Sequence, residues 1–214
     1  MSFQDARKTW DARFAIEDYY FGRNPNVFLV AQQPRLAKLA PGAAALAVAD
    51  GEGRNSVWLA RQGLAVTAFD VSPVGVDKAR KLAADASVSV DYRVEDINAW
   101  DWDAAQYDLV AVIFIQFASP AERARIFAGV QRALKPGGLL MVQGYGLRQI
   151  EYKTGGPGKA ENLYTGVLLR EAFAALEPLH LAEHDAFINE GRGHNGMSAL
   201  VDFVGQRPAR PVVT

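Results

Sequence analysis

The stretch that decides the fold is residues 46–55, which read Leu-Ala-Val-Ala-Asp-Gly-Glu-Gly-Arg-Asn. Its first half is a short apolar run typical of a buried strand, and its second half is a glycine-rich turn before a helical pattern that ends at Gly63. Gly51 and Gly53 let the backbone pass close to a ligand, and the helix start offers free N–H groups. Alone, this turn is equally consistent with a ligand-binding loop and with a plain tight connection.

Apolar runs and helical patterns alternate on the C-terminal side of this stretch. Ser72-Pro73 and Ser119-Pro120 each put a capping residue before a proline, which predicts helices reaching about Ala84 and Leu134. Strands that alternate with helices predict an α/β fold with a parallel sheet and right-handed crossovers. The further predicted strands are residues 64–69, 88–94, 107–117 and 139–142.

The last third of the chain has a different pattern. Residues 144–164 contain five glycines and are predicted to be a long loop, after which Thr165 is predicted to cap a helix that reaches about Leu176. Residues 180–188 and 197–206 are strand-like and are joined by a single loop. This arrangement predicts an antiparallel strand pair at one edge of the sheet.

Composition limits the classes of function. The 214 residues carry 23 Lys and Arg against 24 Asp and Glu, so no electrostatic attraction to nucleic acid or to an anionic membrane is expected. The chain has no cysteine, which excludes disulfide scaffolds and thiolate metal sites, and no metal is predicted. The sequence has no signal-peptide pattern and no apolar run that would span a bilayer, so we expect a cytoplasmic protein. We expect it to be a monomer or a homodimer.

Acidic residues follow two of the predicted strands. Ligands of open parallel sheets bind outside the carboxyl ends of the strands. Asp70 ends the second strand, where a carboxylate can accept hydrogen bonds from a ribose diol, and Asp96 follows the third, where an acid can accept from the amine of adenine while Ile97 packs on the ring. Either acid is also consistent with a turn or helix-start residue. The glycine turn and Asp70 together favour a nucleoside site.

Two motifs carry a resemblance to a known family. Residues 50–73 resemble the glycine motif, first helix and ribose acid of the class I S-adenosylmethionine-dependent methyltransferases, and residues 135–138 resemble the turn before their fifth strand. The third glycine of the dinucleotide fingerprint is Ser56 here, which argues against a nicotinamide site. The resemblance implies S-adenosyl-L-methionine as cofactor and a Rossmann-like, doubly wound, mostly parallel seven-stranded sheet with an antiparallel C-terminal strand pair.

Further segments resemble the small bacterial methyltransferases related to tellurite-resistance proteins; these are residues 10–14, 20–29 and 152–157. The resemblance implies one methyltransferase domain over 1–214. Within it, residues 1–40 would form a helical lid or cap, 44–143 the cofactor-binding core, and 144–214 the substrate-side loop and C-terminal strands. The aromatic residues around Tyr20 are equally consistent with packing at a helix end.

One position departs from the family pattern. The family usually has an acid two residues before the first glycine of its loop, where it helps to orient the methionine end of the cofactor, and this position is Ala47. Either binding is weaker here, or Asp50 or Glu52 compensates. The predicted cofactor-binding residues are Tyr20, Ala49, Asp50, Gly51, Gly53, Asn55, Asp70, Val71, Asp96, Ile97, Ile115 and Gln116.

The predicted substrate side lies late in the chain. Related tellurite-resistance proteins use a basic residue and a histidine near this point, which implies that Arg192 and His194 are the catalytic residues. Arg192 suits an oxyanion or carboxylate, and His194 can take a proton at neutral pH. The same loop, with Glu190, is also consistent with a solvated hairpin connection. Gln116 can bind a ligand or simply cap the fourth strand.

Methyl transfer to a small-molecule sulfur, selenium, tellurium, oxygen or nitrogen nucleophile is the predicted activity. In-line transfer from a sulfonium depends mainly on proximity and alignment, so the lack of a catalytic triad does not argue against it. Two alternatives remain: a cofactor-binding module without catalysis, suggested by Ala47, and an NAD-dependent oxidoreductase.

Overall fold

A computed structural model of the chain describes residues 3–102 and 106–209. These residues fall into two compact units, Met1–Trp100 with Glu190–Gly193, and Asp101–Asn189 with His194–Thr214. Within the described residues, no helix has the length and apolarity needed to cross a bilayer.

The first unit contains five helices and three strands among its described residues. In chain order they are α1 (Phe3–Phe14), α2 (Val27–Ala31), α3 (Gln33–Leu36), β1 (Ala44–Val48), α4 (Arg54–Arg61), β2 (Ala65–Asp70), α5 (Pro73–Asp85) and β3 (Asp91–Val94). β1 pairs with β2 and β2 pairs with β3, both in parallel. β3 is shorter than the sequence predicts.

Local sequence sets the helix starts of this unit. The Ser72 hydroxyl accepts a hydrogen bond from the Gly75 amide, and Pro73 is the first residue of α5, as the Ser-Pro pattern predicts. Gly53 precedes α4 with a φ of 91°, a left-handed conformation that favours glycine. A Cβ at Gly53 would lie 2.6 Å from Cβ of Ala79, so the close approach of α5 also requires glycine there.

The second unit contains four strands, three α-helices and a 3₁₀ turn among its described residues. In chain order they are β4 (Tyr107–Ile113), α6 (Pro120–Ala133), β5 (Leu134–Tyr145), α7 (Gln149–Tyr152), the 3₁₀ turn (Ala160–Asn162), α8 (Gly166–Ala172), β6 (Glu177–Asn189) and β7 (Asn195–Gln206). β4 and β5 are parallel, whereas β7 runs antiparallel to both β5 and β6.

The predicted long loop at 144–164 is only partly a loop. β5 continues to Tyr145, which lies opposite Leu200 of β7, and α7 and the 3₁₀ turn follow. Pairing with β7 overrides the glycine content, and Gly144 is needed because a Cβ there would lie 2.6 Å from the ring of Tyr164. Thr165 caps α8 as predicted, although α8 ends at Ala172.

The strand order of the sheet is β3-β2-β1-β4-β5-β7-β6. The antiparallel pair β6 and β7 lies at one end of this order. The predicted fold class, an α/β seven-stranded sheet with an antiparallel C-terminal strand pair, is therefore confirmed.

Candidate active site

The turn after β1 is anchored by the buried side chain of Asp70. Its Oδ2 accepts a hydrogen bond from the Gly51 amide at 2.9 Å, and its Oδ1 accepts one from the Ser72 amide at 2.9 Å. Burial raises the pKa of Asp70 to about 6, although both hydrogen bonds lower it. Because a carboxylate oxygen can accept two hydrogen bonds, Asp70 retains acceptor capacity for a ligand hydroxyl.

Backbone conformation in this turn follows the glycine motif even where the residue is alanine. Ala49, Gly51 and Gly53 have φ angles of 48°, 61° and 91°. Ala49 thus adopts a conformation that favours glycine, at the position where the family motif has its first glycine.

Asp50 has a buried carboxylate oxygen that the described residues leave unsatisfied. Its Oδ1 accepts from the Ser56 amide at 3.3 Å, whereas Oδ2 has no hydrogen-bond partner in the described chain. Burial is the main cause that raises the pKa of Asp50 to about 7, and the nearby charge of Asp70 adds to it. A buried oxygen without a partner is costly, so this atom suits a donor brought by a ligand.

The other acid of the turn, Glu52, is fully engaged by the protein. Its Oε1 lies 2.6 Å from Nζ of Lys78, and its Oε2 accepts from the Tyr20 amide at 2.7 Å and from the Phe21 amide at 3.3 Å. Ala47 is buried in β1 opposite Ala68 of β2 and contributes no acid. Asp50 is therefore the acid of this turn with an oxygen left for a ligand.

A second buried glutamate joins the late loop to the start of α4. Glu190 Oε2 lies 2.7 Å from Nη2 of Arg54, with side chains only 4% and 7% exposed. Glu190 Oε1 accepts from the Asn26 side chain and the Val27 amide, both at 3.2 Å, and Asn55 Oδ1 accepts from the Asn26 amide at 3.0 Å. A solvated hairpin connection is therefore wrong for Glu190, and the predicted binding residue Asn55 also holds the N-terminal segment.

The aromatic segment near Tyr20 packs on the same late loop. The Gly193 amide donates to the Tyr20 carbonyl at 3.2 Å. A Cβ at Gly193 would lie 2.2 Å from the Phe21 ring, so only glycine allows this approach. Tyr20 itself is half-buried, whereas the predicted catalytic residue Arg192 is exposed.

The ends of β2 and β3 are adjacent, as the predicted nucleoside site requires. The Glu95 amide donates to the Asp70 carbonyl at 3.0 Å. Asp96 Oδ1 accepts from the Asn98 amide at 2.9 Å, which closes a turn, and Ile97 is buried beside it. Val71, directly after Asp70, is half-buried.

In the second unit, the predicted ligand residue Gln116 is engaged by β5. Its Oε1 accepts from the Tyr145 amide at 2.5 Å, and its Nε2 donates to the carbonyls of Tyr145 at 2.8 Å and Asn162 at 3.2 Å. Ile115 is buried next to it. Both remain predicted cofactor contacts, but Gln116 has a positioning task that the sequence did not indicate.

His194 lies in a buried aromatic setting. Its ring stacks on Phe114 with centroids 4.3 Å apart, and its Nδ1 is hydrogen-bonded to the hydroxyl of Tyr145. Phe114 directly follows β4 and has a φ of 56°, which is unusual for a bulky residue. Nothing in the sequence signals the bond between Tyr145 and His194. In the described residues, His, Asp and Glu form no group of three or more that could hold a metal ion.

Comparison with known proteins finds similarity to methyltransferases. Residues 45–138 match the family model described as a methyltransferase domain. The chain is 31% identical over 102 residues to an uncharacterised methyltransferase of Synechocystis sp. and 38% identical over 105 residues to a ubiquinone biosynthesis O-methyltransferase of Xanthomonas campestris pv. campestris. These matches cover 47% and 48% of the chain, and 46% and 43% of the relatives. The chain thus spans less than half of the length of these relatives.

Solved structures share the fold over most of the chain. One, from a study of the conversion of a disulfide bond into a thioacetal group during echinomycin biosynthesis, has a TM-score of 0.75 at 18% identity and covers 96% of this chain and 93% of its own. The N-methyltransferase NodS of Bradyrhizobium japonicum, solved with S-adenosyl-L-homocysteine, has a TM-score of 0.69 at 15% identity, and the match covers 95% of this chain and 98% of NodS. TehB of Haemophilus influenzae has a TM-score of 0.66 at 16% identity, and the match covers 83% of this chain and 62% of TehB.

The matched methyltransferase domain and the methyltransferase relatives agree with the resemblance that the sequence indicates. The matched stretch begins within β1 and ends within β5, and it includes the glycine loop, Asp70 and Asp96.

Proposed function

We propose that the chain is an S-adenosylmethionine-dependent methyltransferase that transfers a methyl group in line to a small-molecule nucleophile. The observation that carries the proposal is the glycine turn of residues 49–53, closed by Asp70, inside the stretch that matches a methyltransferase domain. Relatives with O-methyltransferase and N-methyltransferase names differ in acceptor, so they support the reaction class and leave the acceptor atom open.

The residues present fit the cofactor. Asp70 would accept the ribose hydroxyls through its remaining lone pairs, and Asp96 with Ile97 would hold the adenine. Asp50 Oδ2, buried and unsatisfied in the described chain, would accept from the ammonium of the methionine end in place of the acid missing at Ala47. When bound, S-adenosylmethionine supplies an electrophilic methyl group on a sulfonium.

The chain's own residues contribute on the acceptor side. Arg192 is exposed and offers a guanidinium to an oxyanion or carboxylate. His194 is buried and offers a ring nitrogen to the acceptor. We propose these two as the residues that orient the nucleophile, so that alignment and exclusion of water supply most of the rate.

One observation favours a second function, a cofactor-binding module without turnover. β1 contributes Ala47 where the family usually has an acid, and binding without catalysis would be compatible with that loss. Both functions require the cofactor, so they are separated by turnover and not by binding.

Isothermal titration with S-adenosylmethionine, S-adenosylhomocysteine and NAD tests the cofactor. We expect both adenosyl compounds to bind, NAD not to bind, and Asp70→Asn to weaken binding at least about tenfold, since that loses roughly one charge-assisted hydrogen bond. Asp77→Asn, at an exposed side chain on α5, is the matched control and should bind as wild type. Binding of NAD alone would overturn the proposal.

Turnover is then measured as S-adenosylhomocysteine release with tellurite, selenite and small thiols as acceptors. Release with any of them supports the enzyme. Tight cofactor binding with no release across a broad acceptor panel would favour the binding module.

A further inference from the structure

We propose that Tyr145 is a positioning residue that holds His194 in the tautomer with its proton on Nε2, so that His194 meets the methyl acceptor as a hydrogen-bond donor. The inference rests on the proposed function, because it assigns His194 its chemistry in that reaction. It favours an acceptor that His194 need not deprotonate and that can accept a hydrogen bond, such as an oxyanion or a thiolate.

The hydroxyl of Tyr145 is held at a fixed point. Gln116 bonds both the amide and the carbonyl of Tyr145, and the Tyr164 amide also donates to that carbonyl at 2.9 Å. The ring packs against Gly156, where a Cβ would lie 2.6 Å from Tyr145 Cδ2. With the side chain buried, the phenol has little freedom to leave His194.

The imidazole of His194 is equally constrained. It stacks on Phe114 with an angle of 27° between the rings, and Phe114 also packs on Tyr145 at 4.7 Å. Phe114 holds a left-handed backbone conformation to do so. Strain of this kind persists where the surroundings fix it, and it concentrates at functional sites.

Relative basicity sets the direction of the hydrogen bond. A phenol O–H, with a pKa of about 10, is a good donor, and a neutral imidazole nitrogen, whose conjugate acid has a pKa of about 6.5, is a far better acceptor than the oxygen of a neutral phenol. The Tyr145 hydroxyl therefore donates to Nδ1 of His194. Since a neutral imidazole carries one proton, that proton is on Nε2. In this state Nε2 donates and cannot take a proton from the acceptor.

The test is long-range ¹H–¹⁵N correlation of the imidazoles in ¹⁵N-labelled protein at about pH 8, where an ordinary histidine is neutral. His194→Gln identifies the His194 signals among the three histidines. We expect a bare-nitrogen shift at Nδ1 and a protonated-nitrogen shift at Nε2. His184, whose Nε2 lies 2.8 Å from Asp202, is an internal reference for the same tautomer. A protonated Nδ1 on His194 would overturn the proposal.

Substitution separates positioning from simple packing. Tyr145→Phe keeps the ring and removes the donor, so the His194 signals should move toward the average of two exchanging tautomers. Tyr164→Phe is the matched control, because the Tyr164 hydroxyl is buried with no hydrogen-bond partner among the described residues, and it should leave His194 unchanged. Unchanged His194 signals in folded Tyr145→Phe would refute the role of Tyr145.

The proposed function and the role of Tyr145 are tested by separate measurements. The spectra need neither cofactor nor acceptor, so a correct tautomer with no cofactor binding would refute the methyltransferase and leave the Tyr145 assignment intact. With an acceptor in hand, we expect Tyr145→Phe to lower kcat about tenfold or more with a smaller change in KM, and to alter the pH profile of kcat. An unchanged pH profile would contradict the role of Tyr145 in the reaction.

Discussion

At the scale of single residues, two buried aspartates set the pH dependence of folding in the glycine turn. Burial raises the pKa of Asp50 to about 7 and that of Asp70 to about 6. An unfolded aspartate has a pKa of about 3.9, so the folded chain binds more protons than the unfolded chain between these values. The free energy of unfolding therefore falls as the pH rises from about 4 to about 7.

Asp50→Asn should remove the contribution of that residue. The amide keeps the acceptor for the Ser56 amide but cannot ionise. We expect the Tm of the variant relative to wild type to rise by a few degrees between about pH 5 and about pH 8, measured by circular dichroism without cofactor. Asp77→Asn, with a side chain 74% exposed, should show no such trend. A Tm difference independent of pH would contradict a buried ionising Asp50.

At the residue scale, the sequence indicates which side chains lie close together when they belong to neighbouring elements of the chain. The Gly51 and Asp70 arrangement follows from one strand–turn–helix unit and its neighbouring strand, and the structure joins them by a hydrogen bond. The role of Glu190 could not be predicted from the sequence, because its partner Asn26 lies 164 residues away in the chain. No local pattern encodes which distant side chain satisfies a buried charge.

At the scale of elements, two buried glutamates hold the N-terminal segment of the first unit. Glu52 receives the amides of Tyr20 and Phe21, and Glu190 receives Asn26 and Val27. The expected lid is thus tied by charge-assisted hydrogen bonds to the turn after β1 and to the late loop, both within this unit.

Glu190→Gln should destabilise the protein strongly. It leaves Arg54 buried without its compensating carboxylate, which typically costs about 3–5 kcal/mol. The free energy of unfolding from urea titration measures this loss. Asp185→Asn breaks the exposed pair with Arg148, with side chains 31% and 61% exposed, and should cost less than about 1 kcal/mol. Equal costs for the two variants would contradict a buried ion pair of this kind.

Elements were predictable where caps and apolar runs agree. The Ser119 cap of α6 forms a capping box with Glu122, as a Ser-Pro start followed by an acid favours. Residues 144 and 145 were mispredicted as loop because they continue β5 by pairing with β7, which is far along the chain. Glycine content indicated a loop, and tertiary pairing overrode it.

At the scale of the whole molecule, a ligand that binds only the folded chain must raise its stability. S-adenosylhomocysteine at a hundred times its Kd should add about 2.7 kcal/mol. For a chain of this size that corresponds to a rise in Tm of roughly 5–10 °C, measured by thermal shift.

Because a bound ammonium favours the Asp50 carboxylate, we expect the rise at fixed ligand concentration to grow between about pH 6 and about pH 8 in wild type. In Asp50→Asn it should be smaller and independent of this ionisation. NAD should give no rise. A rise of the same size and pH dependence in Asp50→Asn would assign the ammonium to another group, because the variant lacks the Asp50 oxygen that has no hydrogen-bond partner among the described residues, whereas Glu52 is paired with Lys78.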